Sequence, residues 1–259
     1  MGVLNVTPDS FSDGGQYFDQ ERAIERAQCI ADEGAQIVDV GGESTRPGAQ
    51  AVPLAEELRR VIPVVRAVAR HSSLLISVDT SRPEVIEQAV DAGAAIINDV
   101  RALQLPGAME SLARSGAACC LMHMRGEPAT MQQSVHYQDV VAEVRSMLAS
   151  RIAACEAAGV AADRLCIDPG FGFGKLTDHN LQLLRALADL CTLDRPVLVG
   201  LSRKSMLKEL TGRGKQERLA GSIALATAAV LNGASIVRAH DVAATVDAVR
   251  VAAALRHGS

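Results

Sequence analysis

Asp79 closes the apolar run ISVD, and Asp168 closes the run LCID. A carboxylate delivered by an apolar run is costly to bury unless it is paired or hydrogen-bonded. With Asn98 they form a polar set suited to a heterocycle bearing amino and ring N–H donors, because one carboxylate accepts two such bonds side by side. Taken singly, either Asp would serve equally well as a helix cap or a loop tie. Arg238 and His240 stand two residues apart, on one face of an expected strand, just ahead of a helix expected to begin near Asp241. Arg, His and a helix start make a phosphate site, and the plainer reading is a salt bridge and a core His. The stretch PVLVGLSRKSM (Pro196–Met206) runs an apolar strand into Ser202, Arg203 and Lys204. Both cations are expected to point at a ligand.

The run DPGFGFGK (Asp168–Lys175) is neither a Walker A motif nor GxGxxG, since Pro169 stands at the first Gly position and Leu176 follows Lys175. It holds Phe171 and Phe173, two of four Phe in the chain, and is expected to cover a planar ligand. Asn5–Gly15 and Gly41–Ala49 read as long Gly/Pro/Ser-rich loops of the kind that act as lids. The six His show no HExxH or HxxEH spacing. A Mg²⁺ held by phosphates and one or two side-chain oxygens would leave no motif.

These residues need a scaffold that brings them together. Short apolar runs recur at residues 1–6, 35–40, 74–79, 94–99, 117–123, 164–170, 196–200 and 234–240. Their length and β-branched content favour strands. Amphipathic helical stretches lie between them at 20–34, 54–71, 83–93, 137–159, 217–234 and 241–256. Pro63 is expected to kink or restart the second. Eightfold strand–helix alternation predicts an α/β fold, a (β/α)₈ TIM barrel, with an open doubly wound sheet as the competitor. No linker or low-complexity tract divides residues 1–259, so a single domain is expected. In a barrel the active site lies at the C-terminal ends of the strands. Those ends carry Asn5, Asp39 with Glu43, Asp79, Asn98 with Asp99, His123, Asp168, Ser202 to Lys204, and Arg238 with His240. Any one polar strand end means little; eight on one rim make a pocket.

Composition narrows the partners. Hydrophobic residues make up 48% of the chain and aromatics only 2%, so the core must be Ala, Val, Leu and Ile. That excludes an aromatic stacking platform for single-stranded nucleic acid. A net charge of −4 excludes a general basic surface for a polyanion. No apolar run reaches the roughly 18 residues of a membrane span, and the start is no signal peptide. The cysteines lack CxxC spacing and read as reduced core residues of a cytosolic protein.

The segments GVLNVTPDSFSDGG, IVDVGGESTRPGA, ISVDTSRPEV, IINDV, CLMHMRG, DPGFGFGK, VGLSRKSM and VRAHDV together resemble the pterin-binding (β/α)₈ family, and within it the dihydropteroate synthases of bacterial folate biosynthesis. The match runs from Val3 to Val242 and its specificity lies in the combination. The resemblance implies a cytoplasmic, homodimeric transferase that joins 6-hydroxymethyl-7,8-dihydropterin diphosphate to p-aminobenzoate, by dissociative displacement, and is a sulfonamide target. It implies that Asp79, Asn98, Met122, Asp168, Gly200 and Lys204 bind the pterin. Asn5, Arg46, Arg238 and His240 would hold the diphosphate, with Asn5 on Mg²⁺. Phe11, Thr45, Pro47, Phe173, Lys204 and Ser205 would surround p-aminobenzoate. Asp79, Lys204, Arg238 and His240 would carry catalysis. One departure is a first strand that opens almost at Met1, where the family has a short N-terminal extension, so that extension is expected to be missing. Two other readings compete: a methyltetrahydrofolate:corrinoid methyltransferase, which would need neither STRPG, SRK nor RAH, and a non-catalytic pterin-binding homologue, expected to lose Asn5, Arg46 or Lys204.

Overall fold

The computed structural model describes residues 1–6, 16–44, 51–133 and 135–257. Phe11, Thr45, Arg46 and Pro47 lie outside the described residues. A strand forms on each of the eight apolar runs: β1 (Gly2–Asn5), β2 (Ile37–Gly41), β3 (Leu75–Asp79), β4 (Ile96–Asp99), β5 (Ala118–Met122), β6 (Leu165–Asp168), β7 (Leu198–Val199) and β8 (Ile236–Val237). All pair in parallel. β1 to β6 make one continuous sheet, and β7 and β8 make a second. Two single bridges join the sheets, Ile167 to Val197 and Gly2 to Ala239. They place β7 beside β6 and β8 beside β1, and so close the (β/α)₈ barrel.

The helices are α1 (Gln16–Asp32), α2 (Leu54–His71), α3 (Pro83–Asp91), α4 (Ala108–Arg114), α5 (Val140–Ala157), α6 (Thr177–Arg185), α7 (Leu187–Cys191), α8 (Met206–Thr211), α9 (Leu219–Leu231) and α10 (Val242–His257). Pro83 opens α3 at its first turn, where its missing N–H does no harm. Asp139 caps α5, accepting from the N–H groups of Val141 and Ala142. α2 differs from the expected break, since it runs through Pro63. Val61, Ile62, Val64 and Val65 are buried on either side of it, and that packing outweighs one lost backbone bond.

Side chains alternate across each strand, and the two faces differ sharply. Leu4, Val38, Val40, Ile76, Val78, Ile97, Cys119, Leu121, Leu165, Ile167, Val199 and Val237 belong to the hydrophobic core, which fills the ring between strands and helices. The opposite face carries Asp39, Ser77, Asp79, Asn98, Cys120, Met122, Cys166, Asp168 and Arg238. The same face also holds Val3, Ile37, Ile96, Leu198 and Ile236 nearer the strand starts, so the interior is polar toward the C-terminal ends. Register sets its layers: Asn5, Gly41, Asp79 and Asn98 are successive cross-strand neighbours, and Met122 faces Asp168. All six cysteines are free; Cys29 is exposed, contrary to the core reading, while Cys119, Cys120 and Cys155 are buried.

Candidate active site

A cavity of about 660 Å³ opens at the C-terminal ends of the strands. Its lining brings together Asn5, Asp79, Asn98, Met122, Asp168, Phe173, Gly200, Lys204, Ser205, Arg238 and His240; Asp39, Asp99 and His123, also expected on this rim, are buried behind it. Its floor is organised by a residue to which the sequence reading gave no role. Asp39 is fully buried, two positions before Gly41 on the inward face of β2. One oxygen accepts from Ser77 Oγ at 2.6 Å. The other accepts from Arg238 Nε at 2.6 Å and Asn98 Nδ2 at 3.1 Å. Arg238 also donates to Asp79 Oδ2 at 3.3 Å. Arg238 thus reaches across the interior, bound to two carboxylates. Asn98, with its NH₂ turned to Asp39, presents its amide oxygen to a donor in the cavity.

The other polar groups are held as firmly. Asp168 Oδ1 caps the turn after β6 by accepting from Gly170 N–H at 2.7 Å, leaving its second oxygen for a ligand. Burial raises the Asp168 carboxyl above its usual range. Burial, then the charge of Asp39, pushes Asp79 up to about 7, against the pull of Arg238. Lys204 is pushed down to about 8 by burial, with Asp168 opposing. Its Nζ lies 4.4 Å from the centre of the Phe173 ring, a cation–π contact. His240 is set by Ser202, whose Oγ meets His240 N–H at 3.2 Å and Nδ1 at 3.1 Å.

The two adjacent cations after β7 both line the cavity, as expected, but divide their work. Arg203 pairs with Asp241 through both guanidinium arms. Lys204 instead reaches over the Phe173 ring. The turn between them is left-handed at Arg203, φ 57°, and is fastened by Ser222 Oγ on Arg203 N–H and by Arg218 on the carbonyls of Arg203 and Lys204. A half-exposed ion pair contributes up to about 1 kcal/mol, and a non-Gly residue in this region costs a similar amount. Arg203→Gly should therefore leave stability within about 1 kcal/mol of wild type, and Arg203→Ala should lose more. Thermal melts compare the two; a larger loss for the glycine variant would show the pair to matter more than the backbone.

Arg82, ahead of α3, ties together described residues that follow β2. Arg82 reaches Glu43 at 3.4 Å and Glu57 at 3.2 Å, and donates to the carbonyl of Val52. For metal, the described residues contain no cluster of three or more His, Cys, Asp or Glu. The amide of Asn5 is a hard oxygen donor at the rim. One such donor fits a Mg²⁺ that keeps its waters and takes its remaining oxygens from a diphosphate.

Residues 1–240 match the family model described as pterin binding enzyme. Dihydropteroate synthase of Escherichia coli strain K12 is 54% identical over 251 residues, covering 97% of this chain and 89% of the relative. The chain belongs to the pterin-binding enzymes, among the dihydropteroate synthases. Solved structures of this family agree in shape. Yersinia pestis dihydropteroate synthase with a sulfonamide drug complex superposes with TM-score 0.93 at 49% identity, covering 98% of this chain and 93% of that one. Xanthomonas albilineans dihydropteroate synthase with 4-aminobenzoic acid also gives 0.93, at 52% identity, covering 100% and 93%.

Proposed function

We propose that the protein condenses 6-hydroxymethyl-7,8-dihydropterin diphosphate with p-aminobenzoate, releasing 7,8-dihydropteroate and diphosphate. The observation that carries this reading is one cavity where Asp79, Asn98, Asp168 and Lys204 stand beside Arg238 and His240. Asp168 and the Asn98 amide oxygen accept from the amino and ring N–H edge of the pterin. Lys204 donates toward its carbonyl. Met122 and Gly200 flank the ring. Arg238 and His240 face the diphosphate, with Asn5 in reach of a Mg²⁺ that would offset the charge of the leaving group. Arg46 would assist from the loop after β2.

Departure of diphosphate leaves positive charge on the exocyclic carbon, spread into the ring. The carboxylates of Asp79 and Asp168 attract that charge, more strongly once water is excluded. No protein nucleophile is needed; the arylamine attacks from the side of Phe173, Lys204 and Ser205. Phe11, Thr45 and Pro47 would complete its enclosure. The setting proposed is cytoplasmic: no described helix is long and apolar enough to cross a membrane. A second copy of the chain is the proposed cover for Leu231 on α9 and for Val251 and Leu255 on α10, which stand exposed.

The test is diphosphate release from purified protein given dihydropterin diphosphate, Mg²⁺ and p-aminobenzoate, each omitted in turn. Release should require all three. A sulfonamide should raise the KM for p-aminobenzoate without lowering the limiting rate. No release from a folded, pterin-binding protein would overturn the assignment in favour of a non-catalytic homologue.

A further inference from the structure

Lys175 ends the Gly-rich run, and its side chain is buried. Its Nζ lies 2.9 Å from His123 Nδ1, 2.9 Å from the carbonyl of Gly170, 3.0 Å from that of Phe173 and 3.2 Å from that of His123. These partners are neutral. An ammonium buried among carbonyls is a costly anchor, and burial pushes it down to about 7, with Asp168 opposing and Lys204 and Arg125 reinforcing. His123 is held down to about 3 by burial and then by Lys175, so its ring is neutral and Nδ1 accepts.

The backbone beneath the ammonium is shaped for this seat. Gly170, at φ 69°, lies so close to the carbonyl of His123 that a Cβ would overlap it. Gly174, at φ 64°, meets the carbonyl of Arg125 in the same way. The loop after β6 therefore lies flat on the chain leaving β5. Lys175 bonds both ends of the Gly170–Phe173 turn, which is itself closed by Phe173 N–H on the Gly170 carbonyl at 3.0 Å. That turn presents Phe173 to Lys204.

We propose that Lys175 is a positioning residue for the arylamine half of the site: its ammonium fastens the loop after β6 to the end of β5, and so holds Phe173 against Lys204. The kinetic half of this inference rests on the synthase reading; the fastening itself does not. Asp168 keeps its own tie to Gly170 N–H, so the pterin side is affected less.

Lys175→Met tests both halves. Hydrogen exchange of the amides at 170–174, without substrates, should quicken relative to wild type. The KM for p-aminobenzoate should rise about tenfold, the scale expected when a reactant's wall is misplaced, while calorimetric affinity for dihydropterin diphosphate stays within about twofold. Phe173→Leu should raise the same KM with the exchange at Gly170 unchanged. Unaltered exchange in Lys175→Met, or equal loss of both affinities together with a lowered Tm, would overturn the inference. Lys175→Gln, which keeps donors without charge, takes the place of the methionine variant if that fails to fold. A wild-type chain that binds pterin but releases no diphosphate would sink the reaction, and the exchange result would then decide the fastening alone.

Discussion

Asp39→Ala should destabilise the protein by about 3–5 kcal/mol, the usual cost of removing one partner from a buried ion pair. The variant would leave the Arg238 guanidinium, Ser77 and Asn98 without their shared acceptor. For a chain of this size that is a fall in Tm of roughly 10 °C. Activity should fall with it, because Arg238 and Asn98 lose the group that aims them. The double variant Asp39→Leu/Arg238→Met separates the two effects. Replacing a buried pair by apolar side chains is often neutral for stability, so part of the Tm should return, less about 1 kcal/mol each for the stranded Ser77 hydroxyl and Asn98 amide and the loss of Arg238 beside Asp79. Diphosphate release should not return. Melting curves of wild type, Asp39→Leu, Arg238→Met and the double close the cycle. If Asp39→Ala melts within 1 kcal/mol of wild type, Asp39 is not the hub described here.

Asp79→Asn should lower kcat by about 10²–10³, the range for losing one group aimed at charge that develops in the transition state. The pH dependence supplies a second signature. Asp79 titrates at about 7 in the free protein. Below that its carboxyl is protonated and neutral, and attraction for a pterin cation is lost. The profile of kcat/KM should therefore fall on the acid side with an apparent pKa near 7. On the alkaline side it should fall as Lys204 gives up its proton near 8. Asp79→Asn should flatten the acid limb and keep the alkaline one; Lys204→Met should do the reverse. An acid limb unchanged in Asp79→Asn would assign it to another group.

The strands were legible because apolar runs of strand length are local. So were α2 and α3, from their amphipathic patterns, and α5, α9 and α10, from their length and helix-forming composition. α6 was not read from the sequence, and the seven residues of α4 and the short α7 and α8 carry too little periodicity to declare themselves. The site residues were legible as a rim of polar strand ends, and through the family resemblance. What Asp39 does was not legible, since its partners stand 38, 59 and 199 residues away. Closure of the barrel brings them together. Nor could spacing tell Arg203 from Lys204, which depends on a single backbone angle at the turn. The sequence shows Lys175 closing a glycine run, but only folding shows its ammonium turning back among carbonyls.

The barrel is joined from six strands and two by a single bridge on either side. Asp39, Asp79, Asn98 and Asp168 belong to the larger piece; Arg238 belongs to the smaller, and Lys204 follows its first strand. The ion pairs of Arg238 with Asp39 and Asp79 therefore cross the seam. Neither piece alone supplies the partners of these charges, so the contact that joins the two also assembles the chemistry. The charge pair of the site is thus also a clasp of the barrel, beside the two backbone bridges.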